Sequence, residues 1–257
     1  MKTERSSKTQ DWVATDLDGT LFSRHWAGEG AVPGTWRESA VGTDGDREPS
    51  SWVRPETHRL LLALTNAATL VPVTARDRES FSRVDVPGLR LSGPAILANG
   101  AIILDPDGAP DEHWLTHVAQ ILGPWQKHLD QLCQMFIQRS GHMARPRLVA
   151  GLSGLSAYLV AKAPEGWWAG AEGAALLREL AEEVTAECRV AVLGNELQIL
   201  PPGLGKAAAA QFVQQYYFDG QAPLICLGDQ KLDLEFMNLG RLIATPSGSV
   251  LATFWES

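Results

Sequence analysis

The sequence is organised around residues 12–22, which read WVATDLDGTLF. The apolar start of this stretch shows no polar alternation, which is typical of a strand buried on both faces of a parallel sheet. The Asp18-Gly19 pair ends the apolar run, so the carboxylates of Asp16 and Asp18 are predicted at the strand's carboxyl end, where open α/β sheets bind ligands. Two carboxylates one residue apart repel each other unless a proton or a cation intervenes, and their oxygen atoms suit a hard divalent ion such as Mg²⁺.

Composition and charge narrow the class of protein. The chain of 257 residues can bury a sizeable core, and its 45% hydrophobic and 20% charged residues are ordinary for a globular protein. A formal net charge of -8 argues against a nucleic-acid partner, which would need a basic face. Three cysteines without CxxC spacing are expected to be buried thiols in a reducing compartment. Because neither a signal-peptide pattern nor a membrane-spanning stretch is found, the sequence predicts a cytoplasmic protein without a membrane partner.

Later segments repeat the pattern of a polar residue at the end of an apolar run. A helix predicted over 55–68 leads to a short buried strand that ends before Thr74, and such a right-handed βαβ unit would place Thr74 beside Asp16. The apolar run PLICL is followed by Asp229. Lys206 comes directly after Gly-Leu-Gly at the start of a predicted helix, where amide groups and a lysine form a natural anion site.

These motifs carry a resemblance to a known family. DLDGT resembles the DxDGT signature of the haloacid dehalogenase superfamily, whose members are mostly Mg²⁺-dependent phosphatases, and VTAR, GLGK and GDQKLD resemble its second, third and fourth motifs in the same order. The resemblance implies an α/β fold with a Rossmann-like core and a parallel sheet. It also implies that Asp16 is a nucleophile that forms an aspartyl-phosphate and that Asp18 is the general acid/base. Lys206 would neutralise Asp16 and the phosphate, Thr74 would bind the phosphate, and Arg76 would assist.

The resemblance further implies a Mg²⁺ site. It assigns the metal to four aspartates, Asp16, Asp18 (through its backbone carbonyl), Asp229 and Asp233. The fourth motif departs from the pattern of many relatives, because Gln230 stands where they have Ser or Thr and Leu232 stands where they have Asn. An outer contact to metal-bound water is therefore expected to be missing or supplied differently, which would affect metal affinity.

Two domains are predicted. Residues 1–85 and 202–257 form the catalytic core, beginning with a loose tail at 1–10, whereas 86–201 read as strands, helix, strands, helix, strands and form a separate α+β domain. This order resembles the type IIB cap of the superfamily, which sets substrate choice, and LANGA resembles a segment of its Cof-like and sugar-phosphatase members. Residues 23–54, rich in Gly, Pro and Ser, are predicted to be an irregular insertion beside the site, either a lid or a solvated loop.

The predicted substrate is a small phosphorylated metabolite, and a type IIB cap implies a phosphosugar. Candidate substrate-binding residues in the predicted cap are Asn99, Arg145, Arg147 and Asn195. Arg145 and Arg147 would share a face of one strand and could clamp a carboxylate or a second phosphate. The predicted activity is a Mg²⁺-dependent phosphomonoesterase. The alternatives are a phosphomutase resembling phosphomannomutases, which a sugar-bisphosphate requirement would indicate, and a phosphometabolite-binding regulator, against which a nucleophile–acid pair argues.

Overall fold

The computed structural model describes residues 11–38, 47–184 and 187–256. The predicted tail at 1–10 and residues 39–46 of the predicted insertion lie outside these ranges. The chain divides into two compact units, one formed by Met1–Ala109 with Lys206–Ser257 and the other by Pro110–Gly205. Within the described ranges, no helix combines the length and the apolar character needed to cross a membrane.

The first unit is built on a four-stranded parallel sheet, as the sequence predicted for an α/β core. Elements are numbered along the whole chain, and the strands of this unit are β1 (Trp12–Thr15), β2 (Val32–Glu38), β3 (Arg47–Val53), β4 (Thr69–Pro72), β5 (Ala95–Leu97), β6 (Ile102–Leu104), β11 (Ile225–Leu227) and β12 (Leu242–Ala244). Its helices are α1 (Pro55–Ala67), α2 (Arg78–Ser82), α6 (Lys206–Tyr217), α7 (Leu234–Met237) and α8 (Val250–Glu256). The parallel strands lie in the order β12-β11-β1-β4.

Strand β1 is fixed in the centre of this sheet. All four of its residues are buried, in agreement with the apolar run that predicted it. Trp12 stacks on Phe218 with ring centroids 4.6 Å apart, and its indole N–H donates to the Gln221 carbonyl at 2.7 Å. Around the strand lies an apolar cluster that includes Val13, Leu17, Leu21, Phe22, Leu61 and Leu70. The residues that leave the end of β1 are therefore held by a packed core on both sides.

The hairpin of β5 and β6 belongs to the first unit. Its two strands pair antiparallel, and a parallel bridge between Val73 and Ile96 joins the hairpin to the end of β4. The backbone N–H of Thr74 donates to the Ile96 carbonyl at 2.9 Å, and that of Ala98 donates to the Arg76 carbonyl at 2.7 Å. The sequence placed the domain boundary after residue 85, whereas the compact unit continues to Ala109. Asn99, which was expected in the cap, consequently lies in the same unit as the DLDGT motif.

Residues 23–54 were predicted to be irregular, and this prediction was wrong. The segment contains the antiparallel strands β2 and β3, seven residues each. The strands carry Ser, Thr, Pro and Gly in place of alternating apolar residues, so the usual strand pattern is absent from the sequence. A hydrogen bond between side chains supports the pairing, because the hydroxyls of Thr35 and Ser51 lie 2.7 Å apart. The backbone N–H of Trp36 donates to the Arg83 carbonyl at 2.9 Å, which joins β2 to the end of α2.

The second unit has the α+β organisation that was predicted for this part of the chain. Its strands are β7 (Arg145–Ala150), β8 (Ser156–Lys162), β9 (Arg189–Leu193) and β10 (Glu196–Leu200), and its helices are α3 (Glu112–Leu122), α4 (Gln126–Arg139) and α5 (Ala171–Glu183). The strands form an antiparallel sheet in the order β7-β8-β10-β9. Alternate residues of β8 and β10 pack on the apolar faces of α4 and α5, in a cluster that includes Phe136, Leu159, Leu176, Leu180, Leu197 and Ile199.

Candidate active site

Three polar side chains leave the ends of neighbouring parallel strands. Asp16 follows β1 directly, Thr74 lies two residues after β4, and Asp229 lies two residues after β11. The backbone N–H of Asp16 continues the ladder to the Leu227 carbonyl at 2.8 Å. Because these strands run parallel, their carboxyl ends share one edge of the sheet, which is the edge where open α/β sheets bind ligands.

Lys206, the first residue of α6, points into this edge. Its Nζ donates to Asp16 Oδ1 at 2.6 Å and to Asp233 Oδ1 at 2.7 Å. The side chain of Lys206 is 12% exposed, so both contacts are shielded from water. Charge-assisted hydrogen bonds of this length are strong, and they fix the position of the Asp16 carboxylate.

The carboxylates of Asp16, Asp229 and Asp233 form a buried acidic group. One oxygen from each lies within 4.8 Å of the others. Asp233 Oδ2 accepts the backbone N–H groups of Asp229 and Gln230 at 3.3 and 3.1 Å, and its Oδ1 accepts from Lys206. Both oxygens of Asp233 therefore accept from N–H donors. Asp16 Oδ2 and Asp229 Oδ1 share the single proton of the Thr20 hydroxyl, so Asp16 and Asp229 are the better placed to offer an oxygen to a hard divalent cation.

Two further residues, which the sequence did not single out as site residues, hold the acidic group together. Thr20 Oγ1 lies 3.2 Å from Asp16 Oδ2 and 3.2 Å from Asp229 Oδ1, so its hydroxyl bridges two carboxylates. Gln230 Nε2 donates to Asp229 Oδ2 at 2.7 Å. Thr20 stands inside the DLDGT motif and Gln230 at the noted departure in the fourth motif, but neither signal indicates which carboxylate the side chain contacts.

The acidic group carries more negative charge than one lysine can balance. Burial, together with the charges of Asp233 and Asp229, raises the pKa of Asp16 to about 8, although Lys206 acts in the opposite direction. Burial and the charge of Asp233 also raise the pKa of Asp229. Burial alone would lower the pKa of Lys206, but the charges of Asp16 and Asp233 outweigh burial and raise it. A site with this excess of negative charge favours a proton or a cation.

Asp18 and Arg76 form a separate pair at the same end of the sheet. Arg76 Nε and Nη2 donate to the two oxygens of Asp18, both at 2.6 Å. Arg76 is itself held by a hydrogen bond from Nη1 to the Ser80 carbonyl at 3.0 Å and by the ring of Phe22, 5.2 Å from Cζ. The side chain of Asp18 is 55% exposed and that of Arg76 only 18%, so the carboxylate is the more accessible partner. Asp18 does not belong to the buried acidic group.

Thr74 is buried at the end of its strand and faces the Arg76 backbone. Its Oγ1 accepts the backbone N–H of Arg76 at 3.2 Å, which leaves the hydroxyl proton to donate to an anion. The backbone N–H of Asn99 donates to the Thr74 carbonyl at 3.0 Å, so Asn99 is a neighbour of Thr74, and its side chain is also buried.

Comparisons with known proteins bear on the fold. The sequence matches no family model, and no curated protein matches it. Several solved structures resemble it over most of its length. A sucrose-phosphatase from Synechocystis is 17% identical, with a TM-score of 0.56 and 96% of each chain covered. The C-terminal domain of trehalose-6-phosphate phosphatase from C. albicans is 13% identical, with a TM-score of 0.57, and 90% of this chain and 74% of that chain are covered. A haloacid dehalogenase-like hydrolase from Bacteroides thetaiotaomicron is 12% identical, with a TM-score of 0.56, and 92% of this chain and 94% of that chain are covered.

The chain has the haloacid dehalogenase-like fold. At these identities the likeness concerns the arrangement of the backbone, so the chemistry has to be argued from the side chains of this chain. The first unit carries the DLDGT, VTAR and GDQKLD motifs and the lysine of GLGK. Lys206 contacts the aspartates of DLDGT and GDQKLD in the buried acidic group.

The predicted substrate-binding residues of the second unit are only partly brought together. Arg145 and Asn195 line one cleft of about 390 Å³, together with His142 and Lys162. Arg147 is exposed two residues further along β7, outside the lining of that cleft. Arg145 and Arg147 share a face of the strand, as their spacing predicted, and their role in binding stays a prediction.

Gly19 allows the close approach of the DLDGT loop to Asp229. Its φ is +85°, and a Cβ at this position would lie 2.8 Å from the Cγ of Asp229. Replacing Gly19 with Ala should therefore lower the free energy of unfolding by about 1–3 kcal/mol and displace the Asp229 carboxylate. Thermal unfolding measures the first effect and a Mg²⁺ titration the second. Gly28→Ala is the matched control, because nothing lies within 4 Å of its added Cβ; equal behaviour of the two variants would contradict this prediction.

Proposed function

We propose that this protein is a Mg²⁺-dependent phosphomonoesterase that acts through an aspartyl-phosphate on a small phosphorylated metabolite, in particular a phosphosugar. The observation that carries the proposal is the contact of Lys206 Nζ with Asp16 Oδ1 at 2.6 Å, beside the buried carboxylates of Asp229 and Asp233. An isolated buried carboxylate is costly. A nucleophilic carboxylate held by a cation, at the sheet edge where ligands bind, supports phosphoryl transfer.

The side chains fit a divalent cation of the Mg²⁺ type. The three buried carboxylates offer only oxygen atoms as ligands, which suits such a cation. Their negative charge exceeds the positive charge of Lys206, and a bound cation would balance the remainder. The cation would be held by Asp16, Asp229 and the backbone carbonyl of Asp18. Asp233 would contribute by accepting a hydrogen bond from Lys206 and so fixing its position. Bound there, the ion would neutralise part of the charge of the phosphoryl group and of Asp16.

In the proposed mechanism, Asp16 is the nucleophile. An oxygen of its carboxylate forms a bond to phosphorus in line with the departing alcohol oxygen, whose bond to phosphorus breaks. Lys206 and the hydroxyl of Thr74 spread the negative charge of the phosphoryl group, which lets a carboxylate approach an anion. Lys206 is 12% exposed and Thr74 is buried, so both donors are held in place and little reorganisation is needed during the reaction.

Asp18 moves the protons in both halves of the reaction. In its protonated form it donates to the leaving alcohol oxygen, and the resulting carboxylate then takes a proton from the water that attacks phosphorus and restores Asp16. Arg76 Nε and Nη2 donate to the two oxygens of the Asp18 side chain. Asp18 must therefore leave Arg76 when it carries the proton, and its 55% exposed side chain has room to move.

The proposed substrate class rests on the fold and on the second unit. Two of the structurally similar proteins are, by name, a sucrose-phosphatase and a trehalose-6-phosphate phosphatase. We propose that the unit formed by Pro110–Gly205 is a substrate-selecting cap in which Arg145, Arg147 and Asn195 contribute, and that Asn99 acts from the first unit.

Phosphate release from a panel of phosphosugars tests the proposal. With Mg²⁺ we expect release from at least one phosphomonoester, and with EDTA we expect the release to stop, because the excess negative charge of Asp16, Asp229 and Asp233 then repels the phosphate. Other phosphomonoesters in the panel, such as a nucleotide, test the sugar preference. Absence of release from every monoester, by folded protein that binds Mg²⁺, would contradict the phosphatase proposal.

A further inference from the structure

We infer that Gln230 is a positioning residue for the metal-binding carboxylate of Asp229, and that the affinity of the site for Mg²⁺ depends on its amide group. The inference rests on the proposed function, because it takes Asp229 as a metal ligand. It assigns a task to one of the two residues at which GDQKLD departs from the pattern of the motif that it resembles.

The side-chain amide of Gln230 makes two contacts, one through its nitrogen as a donor and one through its oxygen as an acceptor. Nε2 donates to Asp229 Oδ2 at 2.7 Å. The other end of the side chain accepts the backbone N–H of Asp233, in a capping box in which Asp233 in turn accepts the backbone N–H of Gln230. A carboxylate can only accept and a backbone N–H can only donate, so the orientation of the amide is dictated by its partners.

The Asp229 carboxylate is consequently fixed from three sides. Its Oδ1 lies 3.2 Å from Thr20 Oγ1, and its Oδ2 accepts from Gln230. On the third side the backbone of Gly19 lies so close that an added Cβ would collide with the carboxylate. Asp229 is only 6% exposed, so water offers little alternative hydrogen bonding. Removing one of the three constraints frees the carboxylate to rotate away from the orientation that a cation needs.

A primary amide meets these requirements better than the alternatives at position 230. Serine can cap the short helical turn, but its side chain is too short to make that contact and also reach Asp229 Oδ2. Glutamate has the same shape and keeps the capping acceptor, yet it replaces the donor by a second negative charge against Asp229. The two substitutions thus keep the cap and remove the contact to Asp229, which separates positioning from helix capping.

The test is a calorimetric titration of the full chain with Mg²⁺ alone, for the wild type, Gln230→Ser and Gln230→Glu. Loss of an outer partner of a metal ligand typically costs about 10–100-fold in metal affinity. We expect Gln230→Ser to raise the Kd for Mg²⁺ about tenfold and Gln230→Glu to raise it further, with thermal unfolding confirming that both variants fold. Gln211→Glu, on an exposed position of α6, adds the same charge elsewhere in the unit and should leave the Kd unchanged.

The outcomes separate this inference from the proposed function. A wild type that binds Mg²⁺, with folded Gln230 variants that bind it equally well, would overturn the positioning role and leave the phosphatase proposal standing. A wild type that binds no Mg²⁺ at millimolar concentration would overturn both. A tenfold loss in Gln230→Ser with an unchanged Kd in Gln211→Glu supports the inference, because a capping role alone predicts no loss in the serine variant.

Discussion

Replacing Asp16 with Asn should abolish phosphate release while leaving the fold intact. The amide is close in shape to the carboxylate, but it cannot form the aspartyl-phosphate. Loss of a catalytic nucleophile typically costs a factor of about 10⁴–10⁶ in kcat. The measurement is phosphate release under saturating Mg²⁺ with the best substrate of the phosphosugar panel. Asp85→Asn, an exposed position in the same unit, is the matched control and should keep full activity.

The same variant should change how stability depends on pH. The pKa of Asp16 is 3.8 in an ordinary environment and is raised to about 8 in the folded protein by burial and by Asp233 and Asp229. Between these values the folded state binds a proton that the unfolded state does not, so this group makes the metal-free protein lose stability as the pH rises from about 4 to about 8. Asp16→Asn removes the titrating group, and its unfolding free energy should fall less over this range.

Denaturant unfolding of both proteins in EDTA, at several pH values, checks the second effect. Identical pH profiles for the wild type and Asp16→Asn would show that the charge of Asp16 is compensated by Lys206 at every pH. Residual activity in Asp16→Asn at a hundredth of the wild-type rate or more would remove Asp16 as the nucleophile and leave the phosphatase proposal without its central residue.

The positions of the buried strands along the chain and the polar residues at their ends could be predicted from the sequence, because both depend on short local patterns. Trp12 to Ala14 and PLICL are apolar runs without alternation, and each is followed by an aspartate that the structure places at one sheet edge. The pairing of β2 with β3 could not be predicted in this way. Those strands carry few apolar residues, and hydroxyl contacts such as that between Thr35 and Ser51 leave no periodic signal.

Contacts inside the candidate site depend on chain segments that are far apart in the sequence. Thr20 and Asp229 are 209 residues apart and Arg76 and Asp18 are 58 apart, so no local pattern specifies that the first pair shares a hydrogen bond or that the second forms a bidentate pair. The resemblance indicated residue types and positions, but the three-sided fixation of Asp229 depends on tertiary packing. The continuation of the first unit to Ala109 depends on tertiary contacts in the same way, since hydrogen bonds such as that from the Thr74 N–H to the Ile96 carbonyl join the hairpin to the end of β4.

Replacing Lys206 with Met should destabilise the protein as well as inactivate it. Lys206 is 12% exposed and is hydrogen-bonded to both Asp16 and Asp233. Without its charge, the buried acidic group keeps three carboxylates that repel one another in a site of low dielectric constant. Breaking a buried ion pair by removing one partner typically costs about 3–5 kcal/mol, and we expect a loss of this size in the free energy of unfolding above pH 8, where Asp16 of the wild type is ionised and paired with Lys206.

Mg²⁺ and pH distinguish lost charge from lost packing in this variant. A divalent cation can balance the carboxylates that Lys206 no longer balances, so Mg²⁺ should restore part of the stability of Lys206→Met but little of its activity. Lowering the pH to 6 should also restore stability, because protonation of Asp16 removes one charge. Lys206→Arg keeps the charge with a different shape and should retain most of the stability at a reduced rate. Lys127→Met, an exposed control, should change neither property. A loss in Lys206→Met that is independent of both Mg²⁺ and pH would mean that Lys206 acts through its packing and not by balancing the nucleophile.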